Sequence, residues 1–179
     1  MQLENSLVRL RRYRKSDVPV VLELVNDAEI RENLMPGIAL PYSLEEEDKW
    51  FESHAKEPKE KFSFAIERKS DNAYLGGCGW NDIDWKNRRA VVGIFLAREY
   101  CGQGLGTSAM SVLVDFLFKE MNMNKVALHV YSFNKRAIRS YEKLGFKTEG
   151  VRRAELFRNG EFHDIVDMGL LSSEWEATN

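Results

Sequence analysis

The chain has 179 residues, 44% hydrophobic and 11% aromatic, which is enough for one domain with its own core. A net charge of -2 and a pI near 6.0 give no global electrostatic case for binding nucleic acid or an anionic membrane. No apolar run is long enough to span a bilayer, and the polar N-terminus has no signal-peptide core. Cys78 and Cys101 make neither a disulfide framework nor a metal site, so the expectation is a cytoplasmic, reduced protein with one domain over residues 1–179.

Leu7 to Arg14 alternates apolar with basic residues and predicts a strand with one solvated face. The alternation divides Arg9, Arg11, Arg12, Arg14 and Lys15 between two faces, which argues against a nucleic-acid patch. Ser16 or Asp17 is placed to cap a helix carrying Val20, Val21, Leu24 and Val25, with Pro19 in its first turn. A shorter helical piece, Ala28 to Leu34, is expected to end at Met35-Pro36-Gly37. Ser43 and Glu46 form a capping box for a third helix, which should bury Glu47's neighbours Trp50 and Phe51. These helices and their Pro- and Gly-bearing loop read equally as a flap over a site or as a plain connector.

Phe62–Glu67, Ala73–Trp85 and Arg88–Leu96 read as antiparallel strands joined by short turns. Gly76, Gly77 and Gly79 interrupt the second, where a bulge, a bend or a close backbone approach is expected. The third runs into Arg98 to Thr107, in which Gly102, Gly104 and Gly106 precede a helical stripe of Leu105, Ala109, Val112, Leu113, Phe116 and Leu117. At such a junction the first N–H groups of the helix lack acceptors and the macrodipole adds partial positive charge. Glycines there remove the side chains that would hold a phosphate away, so the turn reads as an anion cradle suited to a nucleotide pyrophosphate.

A P-loop fails for want of a Lys after the glycines. The dinucleotide fingerprint matches from Gly104 through Gly106 to Ala109, but the next strand ends near Tyr131 and Ser132 without its acidic residue. A third template is the acetyl-coenzyme A loop, Gln/Arg-x-x-Gly-x-Gly/Ala, which Cys101 to Gly106 resembles except at its first position; a glycine-rich helix start that holds no ligand is the other reading.

A strand Val126–Tyr131 follows, parallel to its predecessor by the crossover rule. Next comes a helix from Asn134 with Ala137, Ile138, Tyr141 and Leu144 on one face, ended by Gly145 and Phe146. Val151–Arg158 and Glu161–Leu171 form a hairpin about a type I′ turn at Asn159-Gly160. Its register pairs Phe157 with Phe162 and Leu156 with His163, and then sets Glu155 opposite Asp164. Two opposed carboxylates require compensation, internally from Arg153 or from the ammonium of a cationic substrate. The fold class is α+β, a mixed and mostly antiparallel sheet with flanking helices and one parallel crossover at the glycine turn.

Gly102-Gln103-Gly104-Leu105-Gly106-Thr107 and the segment from Asn134 to Phe146 resemble the two cofactor motifs of the GNAT N-acetyltransferase superfamily. The N-terminal Leu-Arg-x-Tyr-Arg-Lys-Ser-Asp pattern and the Asn-Gly-x-Phe-x-Asp-Ile hairpin are similar to the RimJ/RimL branch and the bacterial spermidine acetyltransferases. The resemblance implies an acetyl-CoA-dependent transfer to a primary amine by direct attack, the acceptor a polyamine or a protein N-terminus. It implies no metal, and it admits a homodimer. The N–H groups of Gln103 to Thr107 would take the pyrophosphate, and the strand end at Phe95 and Leu96 would pair with the pantetheine amides. Asn134 would serve that arm or cap its own helix.

Tyr141 occupies the family's general-acid position, and a phenol's pKa of about 10 is close enough to a thiol's for it to protonate a leaving sulfur. Many relatives carry a Glu where this chain has Val91, leaving water as the proton sink with Asp82 and Asp84 as fallback carboxylates. Cys101 removes a donor at the head of the loop, and direct attack needs no cysteine nucleophile. His129 and His163 read as packed or surface histidines. The competing reading is a catalytically idle coenzyme A-binding sensor or scaffold, to which the missing base carboxylate leans.

Overall fold

The computed structural model describes residues 3–34, 37, 40–54 and 61–176. Among them the strands are β1 (Val8–Arg11), β2 (Phe62–Arg68), β3 (Tyr74–Asp84), β4 (Arg89–Leu96), β5 (Lys125–Tyr131), β6 (Lys147–Arg158) and β7 (Glu161–Leu171). They form one sheet in the order β1-β2-β3-β4-β5-β7-β6. Only the β4–β5 pair is parallel, so the expected mixed α+β architecture holds. β6 starts earlier than the hairpin pattern indicates, at Lys147, because its first residues pair with Gly169 and Met168.

Helices α1 (Val18–Asn26), α2 (Ala28–Leu34) and α3 (Leu44–His54) lie between β1 and β2. Helix α4 (Leu105–Lys119) joins β4 to β5, α5 (Lys135–Lys143) joins β5 to β6, and α6 (Ser172–Glu176) follows β7. The main core lies between the sheet and α4: Ala90, Val92, Val126 and Leu128 meet Ala109, Leu113 and Leu117. Burying each of these larger aliphatic side chains contributes about 1.5–3 kcal/mol, which is why the predicted stripe of α4 faces the sheet.

Alternation along the strands sends Val91, Gly93 and Phe95 to the opposite face, which α1 to α3 cover. Tyr13 packs edge-on against Trp50 of α3, ring centroids 4.9 Å apart. A Cβ on Gly77 would overlap the Tyr13 hydroxyl and approach the Phe95 ring to 2.8 Å. At Gly76 and Gly79 a Cβ would overlap the carbonyl oxygens of Phe95 and Phe62. Close approach is therefore what the β3 glycines provide.

The Ser43–Glu46 capping box forms, with Ser43 N–H donating to Glu46 Oε2 at 2.8 Å and Glu46 N–H to Ser43 Oγ at 3.2 Å. Two other expectations change. Asp17 occupies the α1 N-cap without capping it through its side chain, because that carboxylate accepts from Arg11 at 2.7 and 3.0 Å and from the Arg14 N–H at 2.7 Å. On α3 it is Glu47 that is buried, while Trp50 and Phe51 stay partly exposed; burial pushes the Glu47 carboxyl up. The expected end of α2 at Met35 and Pro36 lies outside the described residues.

Asn159 (φ 53°) and Gly160 (φ 82°) both take the left-handed conformation a type I′ turn needs. The register holds through Leu156↔His163 and then breaks: Arg152 pairs with Ile165, so Arg153, Ala154 and Glu155 stand against Asp164 alone. Glu155 and Asp164 are therefore not a ladder pair. Asp164 Oδ1 instead accepts the Ala154 N–H at 2.9 Å, and Glu155 turns to Arg152 at 3.3 Å. A bulge resolves the like-charge conflict without Arg153.

Glu67, 1% exposed, binds three arginines: Arg11 at 2.5 Å, Arg9 at 3.3 Å and Arg14 at 3.4 Å. Removing one partner of such a buried pair typically costs about 3–5 kcal/mol, because the remaining charge is stranded. Glu67→Ala should lower the unfolding free energy by about that amount in a urea titration. A loss below about 1 kcal/mol would mean that the arginines find other partners and that the network is not an anchor.

Candidate active site

β4 and β5 pair only at Arg89↔Lys125, Ala90↔Val126 and Val91↔Ala127. Beyond Val91 the strands part, although β4 remains paired to β3 through Leu96 and β5 to β7 through Tyr131. The facing backbone groups of Val92–Leu96 and Leu128–Tyr131 are left without each other, and unpaired N–H and C=O groups need partners. The opening is a cleft of about 580 Å³. Its walls include residues from both faces of the sheet, so it passes through the sheet at the splay.

On the α4 side the cleft meets the glycine turn. Gly104 is the N-cap of α4 with φ 79°, and Gly102 has φ 77°; a Cβ on either would meet only open space. Ser108 N–H is bonded to Gly104 O, which leaves the N–H groups of Leu105, Gly106 and Thr107 as the acceptor-less first turn. Gly106 allows α4 to seat against β4, since a Cβ there would lie 3.0 Å from Leu96 Cδ1. The cradle therefore fits a pyrophosphate. Thr107 Oγ1 lies 2.6 Å from Ser140 Oγ and ties α4 to α5.

Of the residues singled out from the sequence, Phe95, Leu96, Gly102, Gly104, Gly106, Thr107, Asn134 and Tyr141 line the cleft. Gln103 and Leu105 do not: the Gln103 amide donates to Glu99 O at 2.6 Å, and Leu105 is buried in the core. Asn134 acts as the α5 N-cap, its side chain accepting the Ala137 N–H at 3.1 Å. Cys101 lines the cleft with its thiol 3.6 Å from Ala97 O, and burial pushes that thiol up. Glu155 and Asp164 line neither the cleft nor the cavity beside it.

Tyr141 sits between the core and the cleft, its ring centroid 6.0 Å from that of Phe146. Burial pushes its pKa to about 12, so it remains a protonated hydroxyl at neutral pH. The same apolar surroundings disfavour a sulfur anion, which keeps donor and thiolate matched.

Other lining residues escaped the sequence reading. Arg136, Arg139 and Lys143 line the cleft from α5, and their spacing of three and four, which puts them on one helical face, is the signal that could have found them. Asn81 enters through a bulge in β3, where Trp80 pairs with Val92 and Asp82 already pairs with Val91. Glu29, Ile30 and Asn33 of α2 close the far side, which no local pattern indicates. Asp82 is engaged by Arg89 at 3.3 Å and Asp84 by Asn87 at 2.9 and 2.7 Å, so neither fallback carboxylate faces the cleft.

A sheet opened at a parallel pair, with an anion cradle on one face and an entrance on the other, defines an acyl-coenzyme A transferase. The acetyltransferase (GNAT) domain model matches residues 8–147. The uncharacterized N-acetyltransferase YokL of a Bacillus subtilis SPbeta prophage is 32% identical over 95% of this chain and 93% of that one. Spermidine N(1)-acetyltransferase of Escherichia coli K12 is 30% identical over 95% and 89% of the two chains. The solved spermidine N-acetyltransferase of Vibrio cholerae in complex with CoA and spermine superposes with a TM-score of 0.86 at 27% identity, over 96% of this chain and 99% of that one; the same enzyme also has a dodecameric structure. The chain belongs to the GNAT acetyltransferase family and is an N-acetyltransferase that uses acetyl-CoA.

A side chain at Gly104 would enter open space at the wall of the cleft from a left-handed backbone. Gly104→Val should weaken coenzyme A binding by about tenfold or more in calorimetry while thermal unfolding stays cooperative. Unchanged affinity in the folded variant would remove the pyrophosphate from this turn.

Proposed function

We propose that the acceptor is a polyamine. The observation that carries this reading is a second cavity of about 620 Å³, which shares Glu29, Asn33, Asn134 and Arg136 with the cleft. Its walls bring in Glu32 and Glu161 beside Lys135, Asn159 and His163. The hairpin tip closes it against α2, with the Asn159 amide donating to Glu32 at 2.5 Å and an Arg158 guanidinium N–H to Arg31 O at 3.5 Å. Glu29 is partly neutralised by Arg98 at 3.1 Å and Arg136 at 3.4 Å, so Glu32 and Glu161 are the carboxylates offered to a cation. A flexible polycation can place one nitrogen in the cleft and leave a distal ammonium among these carboxylates. The spermidine acetyltransferase relatives support the same acceptor class.

Within this reading the first-turn N–H groups of α4 and the basic face of α5 hold the phosphates. The free β4 edge at Phe95 and Leu96 holds the pantetheine amides, and Asn134 sets the start of α5 beside that arm. Acetyl-CoA, when bound there, supplies an activated acyl group. Tyr141 donates its proton to the departing sulfur, and its place in the cleft favours catalysis over an idle sensor. The dodecameric relative, together with exposed Val151, Phe157 and Phe162 along the edge hairpin, supports assembly with further copies of this chain.

Thiol release should be measured with acetyl-CoA and spermidine, butylamine or an N-terminal peptide. Spermidine should give the highest kcat/KM, and Glu32→Gln with Glu161→Gln should raise KM for spermidine far more than for butylamine, an effect that high salt reproduces. Preference for the peptide would move the acceptor to protein N-termini, and equal losses on both amines would assign the carboxylates to structure.

Tyr141→Phe should lower kcat by about a hundredfold or more with cofactor affinity nearly intact. Full turnover in that variant would reduce Tyr141 to a packing residue.

A further inference from the structure

Direct transfer requires a neutral amine, whereas an alkylamine resembles a lysine side chain, whose pKa of about 10.4 keeps it an ammonium at neutral pH. A proton must therefore leave on the acceptor side of the sheet. Val91 has no group to take it, and Asp82 and Asp84 are occupied elsewhere.

His129 does line the cleft. It lies two residues beyond Ala127, the last β5 residue paired to β4, and on the same face of its strand. Opposite it across the parted strands is Gly93, two residues beyond Val91, which puts no side chain into the gap. Asn81 bounds that space, its Nδ2 3.0 Å from where a Gly93 Cβ would stand. His129 Nδ1 is 2.6 Å from Asp167 Oδ1 of the neighbouring strand β7, and Arg152 holds the same oxygen at 3.2 and 3.1 Å. The carboxylate accepts, so in the neutral ring Nδ1 carries the hydrogen and the lone pair lies on Nε2. Among the described residues no side chain bonds Nε2, and the imidazole is about half exposed.

We propose that His129, oriented by Asp167, is the general base that takes the acceptor's ammonium proton on the face of the sheet opposite Tyr141. The proposal rests on amine acetylation, but not on which amine is used. One ammonium proton passes to Nε2 and from there to water. The nitrogen lone pair then forms the N–C bond as the C–S bond breaks. The Tyr141 hydroxyl proton goes to sulfur, and a second nitrogen proton restores the phenol. The products are a neutral amide, a thiol and one released proton. Asp167 is a positioning residue in this scheme, and Arg152 keeps its carboxylate in place.

The test compares acceptors of different basicity. His129→Gln should lower kcat/KM for spermidine or butylamine by about a hundredfold, within the range for a lost general base. For trifluoroethylamine, which is largely neutral in the assay, the loss should stay within about threefold, because no proton has to be removed first. Asp167→Asn should show the same dependence on acceptor with a smaller loss. Calorimetric binding of coenzyme A and the thermal melt of both variants should match wild type, which separates chemistry from folding. Equal losses on basic and weakly basic acceptors, or a collapsed melt with Asp167→Asn no better, would make the pair a structural cross-strand contact. No loss on any acceptor would leave water as the base. If wild type accepts butylamine and refuses spermidine, the polyamine reading fails while the test of His129 proceeds on butylamine.

Discussion

The site depends on where β4 lets go of β5. Three parallel pairs hold the strands together, and the hydrogen bonds that would continue the ladder past Val91 are absent. Each strand keeps its partner on the other side, so the gap cannot close by one strand drifting toward the next. Helix α4 starts just beyond the open end of β4, which brings its acceptor-less N–H groups to the rim of the opening. Gly106 permits that approach, because any larger residue would press on Leu96. The sheet thus spends some of its own backbone pairing to create a binding edge, and the core between the sheet and α4 carries the stability that this costs.

The opposite face is organised by charge. Arg11 links Glu67 of β2 to Asp17 ahead of α1, which fixes where the three-helix cover begins. Burial of Glu67 would be prohibitive alone; with three guanidinium groups around it, it becomes a fixed point. The aromatic contacts of Tyr13 then set α3 over the β3 glycines. The polar anchor thereby positions the helices whose next member, α2, walls the cleft with Glu29 and Asn33.

Features encoded by local chemistry were legible in the sequence. The glycine cradle, the Ser43–Glu46 box, the Asn134 cap and the Asn159-Gly160 turn each depend on a few adjacent residues whose backbone preferences are strong. Features that depend on distant partners were not. The hairpin register could be counted outward from its turn only while the ladder stayed regular, and Ala154 at φ 51° carries no compositional sign of the bulge that stops it. Asp17 suits a cap by type, yet Arg11 outbids the helix for its oxygens. His129 looks like an ordinary strand residue until the topology puts Asp167 beside it, 38 positions away in the chain. Glu47 and the α2 carboxylates likewise acquire their surroundings only through packing.

Because the cleft goes through the sheet, the proposed placement of cofactor and amine lets donor and acceptor arrive by separate doors. Neither has to vacate its place before the other enters, and the acetyl group has no need of a temporary lodging on the protein while one departs. A through-passage of this kind makes the order of arrival a matter of relative affinity and concentration, not of obstruction.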